Sequence, residues 1–355
     1  MDAPLKTLVI LTPAFPASES ETVWVRPKQL FIRKLQESFP SLQIIILSFN
    51  YPFHTLEYKW RGIRVIGFNG MHTRKLKRLL LWVRVCRRLK EINRQQPLFG
   101  VLSFWCGECA LVGKRFSDRY GLKHFTWISG MDARKQNKLV KWIKPVENEL
   151  IAMSIFLQSE FQKNHFVKPR HVIPIGIDPS EYSEMPLNRD IDILGVGTLN
   201  PFKQYDIFID IIRQLSASFP GIKAVICGEG TERPKLERMI RELGLENNIS
   251  MTGLIPHNDV LKLMQRSKVF LHPSSYEGFG SVCLEALYAG AYVISFCDPM
   301  HVKTERWHIA KNPDDMRTQA FEILTRYDGI SKSVLLYSMS DTAKAVMNLF
   351  DEKIL

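Results

Sequence analysis

The chain has 355 residues, 45% hydrophobic and 24% charged, a balance that excludes disordered and collagen-like architectures and suffices for two domains with buried cores. No apolar run reaches the roughly 18 residues of a bilayer span; the longest, residues 98–113, is broken by Glu108. The net charge of +12 sits entirely in the first half, where residues 1–185 hold 29 Lys and Arg against 15 Asp and Glu, and the remainder holds 19 against 21.

The N-terminus opens with Asp2 rather than a basic segment, and Pro13 and Pro16 interrupt its first apolar stretch. No secretory leader is read there, so the expected location is the cytoplasm or the inner face of its membrane. Short β-branched runs then alternate with helical periodicity. Strands are predicted at 7–12, 43–49, 63–68, 100–104, 124–128, 155–158 and 171–174, with the clearest helices at 25–39 and 74–94. A polar stretch at 179–190 reads as a linker. Beyond it, strands at 191–197, 222–227, 249–252, 269–272 and 291–296 are separated by helices at 205–219, 232–243, 258–266 and 281–289. Several strands are continuous apolar runs, as expected where both sheet faces are covered. The pattern is parallel α/β, given twice: two doubly wound domains rather than one barrel, since the linker and the charge step coincide.

Six cysteines suggest no disulfide framework. Cys106 and Cys109 form a C-x-x-C without a second pair or a histidine at ligand spacing, so they read as two buried thiols. The predicted helix at 74–94 is basic and amphipathic. Leu76, Leu79, Leu80, Val83 and Cys86 form one stripe, with Lys77, Arg78, Arg84, Arg87 and Arg88 largely off it. Two readings stand: a core-facing helix with a solvated basic side, or an interfacial helix that docks on anionic lipid. The helix carries no recognition motif for nucleic acid, which is not expected as a partner.

The second half carries the chemistry. In the run from Phe270 to Gly290 a strand ends at His272, and Gly278, Phe279 and Gly280 precede a helix that starts near Ser281. Glycine permits close backbone approach, and a helix N-terminus presents amide donors suited to a phosphate or a sugar hydroxyl. Glu285 lies on the second turn among apolar neighbours, where a carboxylate needs donors such as ribose hydroxyls. Gly195, Gly197 and Thr198 lead from a strand through a loop to Lys203, a cation placed to meet a pyrophosphate. Gly228, Glu229 and Gly230 follow the next strand. Three glycine-containing loops at strand-to-helix junctions of one domain point to a nucleotide site.

These residues resemble retaining glycosyltransferases of family 4: the Glu277/Glu285 pair with its Gly-Phe-Gly, the Val-Gly-Thr-Leu-Asn-Pro-Phe-Lys loop, and Gly-Glu-Gly. The segment from Val172 to Asp178 resembles the family's domain hinge, and residues 333–355 its C-terminal helix. The resemblance implies a GT-B fold, two Rossmann-like domains facing a cleft. Residues 1–180 would bind the acceptor, 186–332 the donor, and the final helix would return to the first domain. It further implies transfer of a sugar from a UDP- or GDP-sugar to a glycan or lipid-linked acceptor with retention, in cell-surface polysaccharide or glycolipid synthesis. Lys203 would bind the diphosphate, Glu277 and the amides after it the transferred sugar, and Glu285 the ribose. No Asp-x-Asp cluster is present in the sequence, in keeping with the family's metal independence, so no cofactor is expected.

Four departures from the family stand out. Thr198 takes the place of a usual Arg, and Pro13 to Thr22 replaces a Gly-Gly loop. The acceptor-side motif reads Ser129, Gly130, Met131, Asp132 without its His, Asp132 being the candidate that faces the reacting sugar. The segment after Phe296 is short. They leave two alternatives: a binding protein on this fold that has lost activity, and a sugar-nucleotide 2-epimerase.

Overall fold

The computed structural model describes residues 6–21, 25–74, 76–184, 188–329 and 332–350. Asp2, Thr22 and Lys75, residues 185–187 of the linker stretch and 351–355 of the final segment lie outside them. The chain divides into two compact units: one runs to Ile175 and takes up the chain again from Met339, the other spans Gly176–Ser338.

In the first unit the elements run β1 (Lys6–Ala14), α1 (Arg26–Ser38), β2 (Leu42–Tyr51), β3 (Thr55–Trp60), β4 (Ile63–Phe68), α2 (Leu76–Gln95), β5 (Leu98–Phe104), α3 (Glu108–Tyr120), β6 (Lys123–Ile128), α4 (Val140–Ile143), β7 (Leu150–Ala152), α5 (Ile155–His165) and β8 (His171–Val172). The strand order is β3-β4-β2-β1-β5-β6-β7-β8, parallel throughout except the β3–β4 edge pair. β1 is buried from Thr7 to Thr12, as a central strand covered on both faces must be.

The second unit runs β9 (Ile191–Val196), α6 (Tyr205–Ser216), β10 (Ala224–Cys227), α7 (Arg233–Glu242), β11 (Ile249–Gly253), α8 (His257–Gln265), β12 (Ser267–His272), α9 (Ser281–Tyr288), β13 (Tyr292–Ser295), β14 (Trp307–Ile309) and α10 (Pro313–Thr325). Its six strands are all parallel, in the order β11-β10-β9-β12-β13-β14. The order reverses between β9 and β12. Their carboxyl ends flank the position where open α/β sheets bind ligands. The chain then re-enters the first unit as α11 (Met339–Phe350). α11 packs on α1; its last residue, Phe350, sits edge-on to Phe125 at 4.9 Å. This is the returning helix that the resemblance implies.

One predicted strand is corrected. Residues 155–158 open α5, because the Ser154 hydroxyl accepts from the amide of Leu157 at 3.0 Å and starts a helix there. Leu157 and Phe161 then share its buried face, and the strand lies just before it, as β7. A four-residue segment with three apolar residues has no period long enough to tell the two apart. The edge strands β3 and β14 and the helices α3 and α10 were not predicted. β3 alternates exposed with less exposed residues and buries only Trp60 fully, and β14 has three residues.

The docking of α11 is tight. A methyl group on Gly100 of β5 would meet the Phe350 ring at 2.5 Å. Phe350→Ala is expected to destabilise the first unit by about 3 kcal/mol, and Gly100→Val to unseat the helix. Denaturant unfolding followed by intrinsic fluorescence checks both, with Phe321→Ala, at a more exposed ring, as the near-neutral control.

Candidate functional site

The loop after β9 is built around Asn200. Its side-chain oxygen accepts from the amides of Phe202 at 3.0 Å and Lys203 at 3.3 Å, which winds Pro201–Lys203 into one tight turn. The carbonyl of Phe202 then accepts from the amide of Ser275 at 2.8 Å and from its hydroxyl at 3.1 Å, stitching this loop to the one after β12. The stitch brings Lys203 Nζ onto the carboxylate of Glu277. Both side chains are about one-fifth exposed, so they remain reachable by a ligand while mostly shielded from bulk water.

His272, the last residue of β12, completes the cluster. Its Nε2 stands 3.2 Å from Glu277 Oε2, and the ring stacks on Phe270 at 6.0 Å. Burial lowers the pKa of His272, so the ring is neutral and donates to the carboxylate. Burial alone would raise the Glu277 carboxyl, but the His272 hydrogen bond and the Lys203 ammonium outweigh it and hold it at about 2. Glu277 is therefore ionised at any working pH and accepts donors.

After Glu277 the chain turns into α9 through Gly280, whose φ of +73° is the left-handed conformation that glycine tolerates. No side chain caps the N-terminus of α9, and Ser281 stands on its first turn. Phe279 is buried against Tyr337, ring centres 6.1 Å apart, and anchors the loop. One turn on, Glu285 is largely buried, with His257 Nε2 at 3.5 Å from its Oε1. Lys203, Glu277, Gly278, Gly280, Ser281 and Glu285 thus lie on two loops and one helix at the carboxyl ends of β9 and β12.

The other predicted loop glycines have a different task. A Cβ on Gly228 would fall 1.9 Å from the carbonyl oxygen of Gly197, and one on Gly230 would fall 2.2 Å from that of Leu199. The loops after β9 and β10 press backbone to backbone, joined by Leu199 N to Glu229 O at 2.8 Å. The glycines make room for a neighbouring loop. Glu229 pairs with Arg233 on α7, and Thr198 is exposed.

Asp132 and Gly130 belong to the first unit. The Asp132 carboxylate is buried and accepts from the amides of Cys106 at 2.8 Å, Gly130 at 2.8 Å and Ser129 at 3.1 Å. That is the work of a group that fixes a loop. Burial raises its pKa against the pull of these amides. Cys106 and Cys109 are both buried thiols, as expected.

Residues 184–306 match the family model described as "Glycosyl transferases group 1". The match lies within the second unit. It is 28% identical over 203 residues to the phosphatidylinositol N-acetylglucosaminyltransferase gpi3 subunit of Schizosaccharomyces pombe, covering 55% of this chain and 44% of that protein. It is 30% identical over 152 residues to a 2-deoxystreptamine N-acetyl-D-glucosaminyltransferase of Niallia circulans, covering 41% and 39%. The matched region spans less than half the length of either relative. Among solved structures, Anabaena HepE in complex with UDP and glucose superposes with a TM-score of 0.68 at 16% identity, over 97% of this chain and 95% of that one. That likeness establishes the GT-B fold.

Two features of this chain escaped the sequence reading. His272 was read as a strand end without a role, although a histidine five residues before a candidate carboxylate was the available signal. Lys28 on α1 gave none. Its ammonium is buried 3.9 Å from the Trp127 ring centre and 4.5 Å from that of Phe104, and finds no hydrogen-bond acceptor among the described residues. Burial lowers its pKa to about 7, with the Asp132 charge pulling the other way.

The unfolded chain holds the Lys28 proton up to the ordinary lysine value of 10.5, so between about 7 and 10.5 unfolding takes up a proton and stability rises with pH. The charge costs most below pH 7. Lys28→Met is expected to stabilise the protein by ~1–4 kcal/mol there, a gain that shrinks as the pH climbs toward 10.5. Urea unfolding at a series of pH values checks it.

Proposed function

We propose that this protein transfers a sugar from a nucleotide diphosphate sugar to a glycan or lipid-linked acceptor with retention of anomeric configuration. The observation that carries the reading is the Lys203–Glu277 pair at the point where the strand order of the second unit reverses. One cation and one ionised carboxylate, held by loops from the two switch-point strands, match the two ends of such a donor. Lys203 would meet the diphosphate, where negative charge grows as the glycosidic bond breaks. Glu277, ionised and held by His272, would accept from hydroxyls of the transferred sugar, with the first amides of α9 beside it. Glu285 would accept from the ribose.

Chemistry on one face of the sugar requires little of the protein beyond placement. The incoming hydroxyl loses its proton to the departing diphosphate, while the anomeric carbon passes through an oxocarbenium-like state. Residue Asp132 holds the Ser129–Gly130 loop of the first unit, which we assign to the acceptor. The names of the two relatives support N-acetylglucosamine as the first donor sugar to test.

The acceptor side includes a surface suited to lipid. Among the described residues of α2, the core face is Leu81, Val85, Leu89 and Ile92. The predicted stripe is a different face: Leu76 is 69% exposed, and Leu79, Leu80 and Val83 are 50–55% exposed. The core-facing reading of that stripe is therefore corrected. A groove of about 500 Å³ opens alongside, lined by Leu79, Trp82 and Val83 with Arg87, Lys90 and Arg115 at its edge. Exposed leucines flanked by cations fit an anionic bilayer surface, which would hold the enzyme beside a lipid-linked acceptor.

Glu277→Gln and Lys203→Met are each expected to lower kcat/KM for transfer from the preferred donor on the order of 10²–10³-fold, with the fold intact by circular dichroism. Nucleotide release from a panel of UDP- and GDP-sugars with a membrane extract as acceptor measures it, and unchanged rates would remove the site assignment. Tight nucleotide binding with no release or transfer would favour a binding protein instead, and isomerised donor in the absence of acceptor an epimerase. For the surface, Leu79→Ser with Leu80→Ser is expected to weaken sedimentation with vesicles containing anionic lipid by about tenfold or more, and neutral vesicles to bind less than anionic ones.

A further inference from the structure

We propose that His272, Cys283 and Cys297 form a binding site for a thiophilic divalent cation of the zinc class, bordering the Glu277 carboxylate. Among the described residues these three are the one group of histidine, cysteine and carboxylate side chains placed to share an ion, their ligand atoms all within 4.8 Å of one another. They come from three neighbouring elements. His272 ends β12, Cys283 faces inward from the first turn of α9, and Cys297 follows β13, whose Ser295 is the register partner of His272. Both sulfurs converge on one point, each 3.7 Å from the place a Cβ on Gly280 would take.

The donor set is the chemically decisive part. Two thiols alone would suit a disulfide. Two thiols with an imidazole are the Cys2His set of zinc sites, in which sulfur binds at about 2.3 Å and nitrogen at about 2.0–2.1 Å. Coordination would release both thiol protons to solvent, and the two thiolates would neutralise the dication. Lys203 would then face no added net charge. The shell is prepared. Phe270 stacks on the imidazole, and Glu277 Oε2 holds its Nε2 at 3.2 Å, the carboxylate–histidine pairing that orients metal ligands. The Ser295 hydroxyl, which receives the Trp307 indole N–H at 2.9 Å, fixes the Cys297 carbonyl at 2.8 Å. Cys283 is fully buried, while Cys297 is only partly buried, the side from which an ion would enter.

A consequence rests on the donor-site reading above: the ion and the donor sugar would draw on the same carboxylate, so loading the metal would change donor affinity. The site itself does not depend on that reading. Anaerobic titration of the reduced, metal-free protein with cobalt(II) tests it. One equivalent is expected to produce thiolate-to-cobalt charge-transfer absorption and the visible bands of tetrahedral cobalt. Zinc(II) should displace it, with proton release seen as a buffer-dependent heat. Cys283→Ala and Cys297→Ala should abolish the charge-transfer band, and Cys86→Ala and Cys227→Ala should retain it. A wild-type titration without that band, which requires no variant to fold, overturns the proposal, as does a band that survives both substitutions. UDP binding to the metal-free protein, measured in parallel, separates the two readings. Nucleotide binding without a cobalt band sinks the metal site alone, and a cobalt band without nucleotide binding sinks the donor site alone.

Discussion

The functional reading depends on one ion pair and what forces it to form. Lys203 and Glu277 are separated by more than seventy residues, and neither would hold its place by its own rotamer preference. The stitch between Phe202 and Ser275 locks the two loops together, and His272 presents an N–H to the same carboxylate. Removing a carboxylate from water is costly, and here an ammonium and an imidazole N–H offset that cost. A mostly shielded pair is screened less by salt than a surface salt bridge, and its remaining exposure leaves each partner open to a ligand's complementary charge.

Around that pair the second unit spends its glycines in two ways. Gly280 serves the backbone turn into α9, where its left-handed φ brings the helix N-terminus up beside Glu277. Gly228 and Gly230 serve packing, since the loops after β9 and β10 approach so closely that a side chain would collide with a carbonyl. From composition the two uses look identical. The distinction matters for substitution: alanine at Gly228 strikes backbone, whereas alanine at Gly280 meets strain in φ and the Glu277 side chain.

Much of this was legible in the sequence. Continuous apolar strands with amphipathic helices between them reported a parallel fold twice over, because sheets covered on both faces leave no alternation to read. Glu277 was singled out because it precedes Gly278 in the loop after a strand, Lys203 because it closes a glycine-containing loop between strand and helix, and Glu285 because it is a carboxylate among apolar helix neighbours. The strand at 155–158 failed because Ser154 is a cap, and here the cap outweighs three apolar residues. β3 alternates strictly between polar and apolar residues from Thr55 to Trp60, a strand signal that the sequence reading passed over. The orientation of α2 was ambiguous for a stronger reason. The helix carries two apolar stripes, and sequence alone cannot say which one the β-sheet takes. His272 and Lys28 were missed because their character comes from long-range burial, which local pattern does not report.

The central claim is that Lys203 meets the diphosphate of a nucleotide held in the second unit. Phosphorus NMR of UDP titrated against the protein tests it most directly, by following the β-phosphorus of the bound nucleotide across pH. The account predicts that the terminal phosphate of bound UDP loses its last proton at a lower pH than in free UDP, because an ammonium lies against it, and that this difference disappears in Lys203→Met. A β-phosphorus that titrates as in free solution, or one equally displaced in the variant, would contradict it.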